Sequence, residues 1–169
     1  MHEQIAELVP VRPECGTFRE AMSAIVGPVT IITARDEQGE AYGFTASSVV
    51  SLSEDPPLLV VCVDRSGRSH DRLVAAQTFC VNVIGVDGRD LALRFGSKRV
   101  DRFAGVEVED LDSGTPSLPV AMARILCRAY GLRDGGDHTI VLGQVTGYVR
   151  RGTDPLACWN HDFVAVRRV

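Results

Sequence analysis

Apolar residues along this chain recur mostly with a period of two, in short runs divided by glycine, proline and charged turns. That is the pattern of strands, not of long helices. An early exception is a short helical stretch. Thr17 and Glu20 have the spacing of a capping box, with Phe18, Met22 and Ile25 or Val26 at helical intervals and Gly27-Pro28 as the stop. The β-branched run 29–35 (VTIITAR) predicts a strand, and 36–40 (DEQGE) a polar turn. Residues 41–53 (AYGFTASSVVSLS) predict the returning strand of a hairpin. Asp55-Pro56-Pro57 interrupts the ladder, because proline has no amide hydrogen to donate. The run 58–63 (LLVVCV) is apolar at every position and predicts a strand buried on both faces.

Further along, 69–76 predicts a short helix and 79–85 (FCVNVIG) a strand. Leu91, Ala92 and Phe95 mark a second amphipathic helix ending near Gly96, and 99–110 leads into a strand. Residues 121–135 alternate along a long strand whose hairpin partner is 137–151, and a last strand lies around 162–168. Seven or eight strands against two or three short helices, with strands adjacent in sequence, exclude alternating βαβ order. The pattern predicts a mainly β (α+β) fold, an antiparallel barrel with a few peripheral helices. Residues 1–15 read as a flexible N-terminal arm and 16–169 as one domain.

Composition adds limits. A chain of 169 residues, 45% hydrophobic and 24% charged, is long enough for one sizeable core. A net charge of −4 with no basic stripe argues against nucleic acid as a partner. No apolar run approaches the roughly 18 residues that span a bilayer, and the N-terminus has no apolar signal core, so a cytoplasmic location is expected. The five cysteines are odd in number and widely spaced. Cys62, Cys80 and Cys127 lie in strand-like runs and read as reduced core residues.

The common catalytic signatures are missing: no GxGxxG, no GxxxxGK[ST], no HExxH and no G-x-S-x-G. The four histidines are scattered, which disfavours a metal site. Three stretches remain. In "TASSVVSLS" (45–53) hydroxyls crowd a strand, where they and the backbone amides can hydrogen-bond a polar ligand. "DRSGRSH" (64–70) offers amides, hydroxyls and Arg68 at a helix start, and "FGSKRVDRF" (95–103) adds Lys98, Arg99 and Arg102 beside Phe95 and Phe103, both suited to phosphate. "GGDHTIVLGQV" (135–145) puts Asp137 and His138 at the mouth of a buried strand. Each piece alone reads equally as a turn, a cap or a solvated loop.

Together and in this order, "FTASSVVSLSEDPPLLVVCV", "FGSKRVDRF" and "GDHTIVLGQV" resemble the flavin reductase-like family, over about residues 18–166. The resemblance implies an FMN-binding split barrel and an NAD(P)H:flavin oxidoreductase, the reductase component of a two-component monooxygenase. It implies FMN or FAD as flavin, NADH or NADPH as hydride donor, a homodimer, and a separate oxygenase or halogenase that receives reduced flavin. Carried onto this chain, it implies that Thr45, Ala46, Ser47, Ser48, Ser51 and Ser53 line the isoalloxazine and ribityl chain. Asp64, Arg65, Ser66, Arg68 and Ser69, with Phe95, Lys98, Arg99, Arg102 and Phe103, fall on the phosphate side. His138 matches a histidine near the nicotinamide face, there to orient the donor.

The chain departs from the family pattern at Arg68-Ser69 in the phosphate turn and at Ser48-Val49. FMN against FAD and NADH against NADPH stay open at this point. So do two other readings: a split-barrel flavoprotein that retains its flavin and reduces another substrate, and a non-catalytic flavin-binding module.

Overall fold

The computed structural model of the chain describes residues 10–12, 16–98 and 101–167. Most of the expected N-terminal arm lies outside the described residues. In chain order the elements are α1 (Thr17–Ser23), β1 (Gly27–Pro28), β2 (Thr30–Arg35), β3 (Ala41–Ala46), β4 (Val49–Glu54) and β5 (Pro57–Asp64). They continue with α2 (His70–Ala75), β6 (Thr78–Val83), α3 (Arg89–Gly96), β7 (Glu109–Leu111) and β8 (Thr115–Ser117). The chain finishes with β9 (Ala123–Gly135), β10 (His138–Arg150), β11 (Leu156–Trp159) and β12 (Asp162–Ala165).

Seven strands form one antiparallel sheet in the order β3-β2-β6-β9-β10-β5-β4. β3 and β4 are its two edges, yet only Ser47 and Ser48 separate them in sequence. Two residues cannot span a flat sheet of seven strands spaced about 4.8 Å apart, so the sheet must curl until its edges meet. The Cys62 amide donates to the Ser48 carbonyl at 3.1 Å, which extends the β4–β5 ladder back to that crossing. The result is an antiparallel barrel split between its edge strands β3 and β4.

The inward residues make one core: Ile32 and Ala34, Tyr42 and Ala46, Leu59, Val61 and Val63, Phe79 and Val81, Cys127 and Val141. Leu73 and Ala76 of the α2 region join that core. A second core sits outside the barrel, where Ala92 and Phe95 of α3 pack with Ile31, Ile84, Leu118 and Leu156. Gly43 permits this approach, since a Cβ there would lie 2.7 Å from the Ile32 carbonyl oxygen and 2.9 Å from Phe95. The thiols of Cys80 and Cys127 are each pushed up to about 12 by burial, and both are inert packing groups.

Several expectations from the periodicity need correction. The expected single strand over 41–53 is two strands, because the chain changes sheet edge at Ser47-Ser48. β5 is not buried on both faces: Leu59, Val61 and Val63 are buried while Leu58, Val60 and Cys62 are half-buried, as the barrel's outer surface is only partly covered. Thr17 does not cap α1. The cap position is Gly16, without a side-chain bond, and the Thr17 hydroxyl instead donates to the Arg12 carbonyl. The strand expected within 99–110 shrinks to β7. β11 was not anticipated; it joins β1 to β12 in a three-stranded sheet. Among the described residues no helix is long and apolar enough to cross a membrane.

One core residue carries a stability prediction. Tyr42 is 4% exposed, and its hydroxyl has no hydrogen-bond partner among the described residues. Burial pushes the phenol above its ordinary pKa. A buried unpaired hydroxyl costs about 1–3 kcal/mol. Tyr42→Phe keeps the ring under the Arg72 guanidinium, 4.5 Å from its centroid, and removes the orphan. Its midpoint in thermal unfolding is expected to rise by about 2–4 °C; a fall would mean that the hydroxyl is satisfied in solution.

Candidate functional site

The seam between β3 and β4 opens a cleft of about 370 Å³. Volume alone does not single it out, because an apolar groove of about 450 Å³ lies beside α1 and β11. Its lining chemistry does. One wall is the end of β3 and the crossing residues, Phe44, Thr45, Ala46, Ser47 and Ser48. The facing wall is the end of β5 with Cys62 and Val63, and His138 at the start of β10. The floor is the turn Asp64, Ser66, Gly67, Arg68, Ser69 and His70, and the far end is Phe95, Gly96, Lys98 and Arg102.

The cleft thus brings together Thr45, Ala46, Ser47, Ser48, Asp64, Ser66, Arg68, Ser69, Phe95, Lys98, Arg102 and His138 from four separate stretches of sequence. Others named from the sequence lie elsewhere. Ser51 and Ser53 are on β4 beyond the crossing, paired with Leu59 and Leu58, and do not line the cleft. Arg65 points away to an ion pair with Asp134. Phe103 packs edge-on against Phe95 at 5.0 Å, behind the cleft wall. Arg99 lies outside the described residues.

Six of the lining residues, Gly67 of the phosphate turn among them, were not anticipated as site residues. Phe44 shares the face of Ala46 at strand spacing, a signal available in the sequence. Cys62 and Val63 reach the site through strand register, Cys62 opposite Ile140 and Val63 opposite Thr139. Gly96 follows from the end of α3. His70 joins the floor to the wall: its Nε2 lies 2.8 Å from the Thr139 hydroxyl and its Nδ1 2.7 Å from Asp71.

The local geometry follows from the turn chemistry. The Asp64 carboxylate accepts from the Ser66 amide at 2.7 Å and the Ser66 hydroxyl at 2.8 Å, which hold it below its ordinary pKa. The Gly67 amide donates to the Asp64 carbonyl at 3.0 Å, and a Cβ on Gly67 would crowd that oxygen, also at 3.0 Å. Asp64 therefore shapes the turn. The Thr45 hydroxyl is committed to the Ala92 carbonyl at 2.6 Å, which fixes α3 against β3. The Ser47 and Ser48 hydroxyls have no partner among the described residues, and both residues are exposed to the cleft.

The electrostatics are one-sided at the far end. Arg102 donates to the Ser97 carbonyl at 3.0 Å and the Gly43 carbonyl at 2.7 Å, and Arg68 donates to the Lys98 carbonyl. None of Arg68, Lys98 and Arg102 has a carboxylate partner among the described residues. Burial, and then the neighbouring Arg68, lower the pKa of Arg102, as expected for cations gathered without counter-charge. His138, 40% exposed, is held at Nδ1 by Asp137 at 2.7 Å, so its other ring nitrogen is available to the cleft.

An apolar wall, unengaged hydroxyls and a group of three cations, none ion-paired with a carboxylate among the described residues, succeed one another along this cleft. A flavin nucleotide needs the same three environments in the same order, for its ring, its ribityl chain and its phosphate, so the residues present fit one.

Comparison with known proteins agrees. The Flavin reductase like domain matches residues 22–167. The NADH:riboflavin 5'-phosphate oxidoreductase of Streptomyces pristinaespiralis is 41% identical over 160 residues, spanning 91% of this chain and 90% of that protein. The flavin-dependent monooxygenase reductase subunit HsaB of Mycobacterium tuberculosis is 36% identical over 129 residues, 76% of this chain and 68% of the other. Among solved structures, the NADH:FAD oxidoreductase SgcE6 of Streptomyces globisporus, in complex with NAD and FAD fragments, superposes with a TM-score of 0.85 at 33% identity, covering 97% of both chains. On its fold, its cleft and these relationships, the chain belongs to the flavin reductase-like family.

Proposed function

We propose that this chain is an NAD(P)H:flavin oxidoreductase that supplies reduced FMN or FAD to a separate oxygenase or halogenase. The observation that carries the site is the convergence of Arg68, Lys98 and Arg102, none of them ion-paired with a carboxylate among the described residues, at one end of a hydroxyl-lined cleft. In this reading Ser47 and Ser48 bind the ring edge and ribityl hydroxyls, and Phe44 and Ala46 form the apolar wall. Arg68, Ser69, Lys98 and Arg102 hold the phosphate. A flavin held there would supply the redox chemistry, as the acceptor at N5 of a hydride from C4 of the reduced nicotinamide. The protein contributes binding, orientation and the electrostatics of the cleft.

The test is oxidation of NADH and of NADPH by dialysed protein, followed by loss of the reduced nicotinamide's near-ultraviolet absorbance, with FMN, FAD or riboflavin added. Turnover that requires and saturates with added flavin supports a diffusible-flavin reductase. Flavin binding without turnover for any pair would reduce the reading to a binding module.

His138 orients the nicotinamide in this scheme. Orientation is worth about 10- to 100-fold in rate, so His138→Ala is expected to lose about that much turnover while flavin affinity stays within about twofold. Full turnover with an unchanged KM for the nicotinamide would remove His138 from the mechanism.

The protomer is read as half of a homodimer in the cytoplasm. β4 is an edge strand, and its Val50 and Leu52 are 58% and 53% exposed. An open apolar edge invites pairing unless it is covered. The four described cysteines are unpaired, which suits a reducing compartment. The double variant Val50→Lys, Leu52→Glu is expected to turn a dimer into a monomer in light scattering behind size exclusion; an unchanged mass would place the interface elsewhere.

A further inference from the structure

Both ring nitrogens of His70 are engaged within the protein, although the residue lines the cleft. Its side chain is 15% exposed, with Nδ1 2.7 Å from the Asp71 carboxylate and Nε2 2.8 Å from the Thr139 hydroxyl. An ionised carboxylate only accepts, so Nδ1 carries the proton and Nε2 accepts from the Thr139 O–H. A ring so occupied has no nitrogen left for a ligand. What it contributes lies in what it ties together.

It ties the turn 64–70 to the strand that carries His138. His70 closes that turn, its amide donating to the Gly67 carbonyl at 3.0 Å, and it opens α2. Thr139 directly follows His138 in β10, is 9% exposed, and pairs in register with the core residue Val63. The ladders of β10 to β5 and to β9 both end at His138, opposite Asp64 and Gly135. A strand end is where local opening is easiest, so its side-chain and turn bonds decide how firmly it is held. The Arg65 amide donates to the Asp137 carbonyl at 3.0 Å, and the Arg65 guanidinium pairs with Asp134. That ion pair is exposed on both sides and holds weakly. The His70–Thr139 bond is sheltered, and it acts one residue from His138.

We propose that His70 is a positioning residue of the reaction: through Thr139 it holds the first residues of β10, and so sets where His138 presents its remaining ring nitrogen to the nicotinamide. The inference rests on the reductase reading and on the role given there to His138. Side chains of successive strand residues point to opposite faces, so Thr139 acts on His138 through the backbone that both share. Removing its bond loosens the imidazole without touching it.

The experiment is a double-mutant cycle. Nicotinamide oxidation at saturating flavin gives kcat/KM, fluorescence titration gives the flavin Kd, and circular dichroism shows whether the fold is kept. His70→Ala and Thr139→Val are each measured with His138 present and in the His138→Ala background, and Thr139→Ser serves as the conservative variant. With His138 present, loss of this sheltered bond is expected to lower kcat/KM for the nicotinamide about tenfold and to leave the flavin Kd within about twofold. Thr139→Ser keeps the hydroxyl and is expected to recover most of the rate. In the His138→Ala background each change is expected to cost less than about twofold, because no imidazole remains to be oriented.

A merely structural role would cost the same in both backgrounds, and equal losses there would overturn the coupling. So would full kcat/KM in folded Thr139→Val, which is close to isosteric and keeps the test open if His70→Ala does not fold. A loss confined to the flavin Kd would make His70 a flavin contact and overturn it too, as would full turnover in His138→Ala alone. A parent chain that oxidises no nicotinamide with any flavin is a separate outcome: the reductase reading then fails before any variant is compared, and the coupling falls with it.

Discussion

Affinity for FMN and FAD alike is expected to fall about 100-fold in an Arg102→Ala variant. Arg102 does two things at once. Its Nε and Nη1 donate to the carbonyls of Ser97 and Gly43, tying the segment after α3 to edge strand β3. It also lends a partly desolvated charge to the end of the cleft where Arg68 and Lys98 converge. Truncation removes the charge, strands two carbonyls and frees the segment that carries Lys98. Charge-assisted hydrogen bonds are worth about 1.5–3 kcal/mol each, and one to two of them account for a 100-fold loss. Arg102→Lys is expected to recover little, because an ammonium cannot reach two carbonyls in the planar fork. Fluorescence titration reads the effect; wild-type affinity in Arg102→Ala would exclude this end of the cleft from flavin binding.

The largest loss of stability is expected from a residue that no catalytic argument would select. Asn82 is fully buried in β6. Its amide donates to the Ile31 carbonyl at 2.8 Å and the Thr33 hydroxyl at 2.9 Å, and its carbonyl accepts the Leu118 amide at 2.8 Å. It therefore clips the segment before α3's packing partner Leu118 onto β2 through side-chain bonds alone. Asn82→Ala strands the buried Leu118 amide, takes one bond each from the Ile31 carbonyl and from the Thr33 hydroxyl, which keeps the Pro116 carbonyl, and opens a small void. With about 1–3 kcal/mol for the stranded amide, and the two lost bonds and the void besides, the variant is expected to lose about 3–5 kcal/mol, a large share of an ordinary domain's stability. Urea unfolding measures it, and a loss under about 1 kcal/mol would show that the neighbours re-pair.

Much of the local structure was legible from residue order. Short β-branched or apolar runs located β2 and β6, alternation located β9 with β10 as its hairpin partner, and the spacing of Leu91, Ala92 and Phe95 located α3. Hydroxyls and cations in three distant stretches marked the segments that meet in the cleft. Those features depend on neighbours within a few positions, where side-chain direction is set by the backbone period.

The rest depended on closure. Nothing local distinguishes Ser47-Ser48 from the residues around them, and they become a crossing only because a curled sheet brings its two edges within reach. Once the chain changes edge there, Ser51 and Ser53 fall outside the cleft although they continue the same run of hydroxyls. The same holds for the two arginines of the phosphate turn: Arg68 lines the cleft while Arg65, three residues earlier, pairs with Asp134 of the β9–β10 hairpin. Arg124, in the alternating run of β9, is only 6% exposed, ion-paired with Glu109 and bonded to Ser117 at 3.1 Å. Residue order thus located most of the strands, though not β11 or the break at Ser47-Ser48, and the stretches that carry polar chemistry. Which of those polar groups face a common space depended on the folded sheet, because burial and facing are set by what the sheet curls around, and that is a property of residues far apart in the chain.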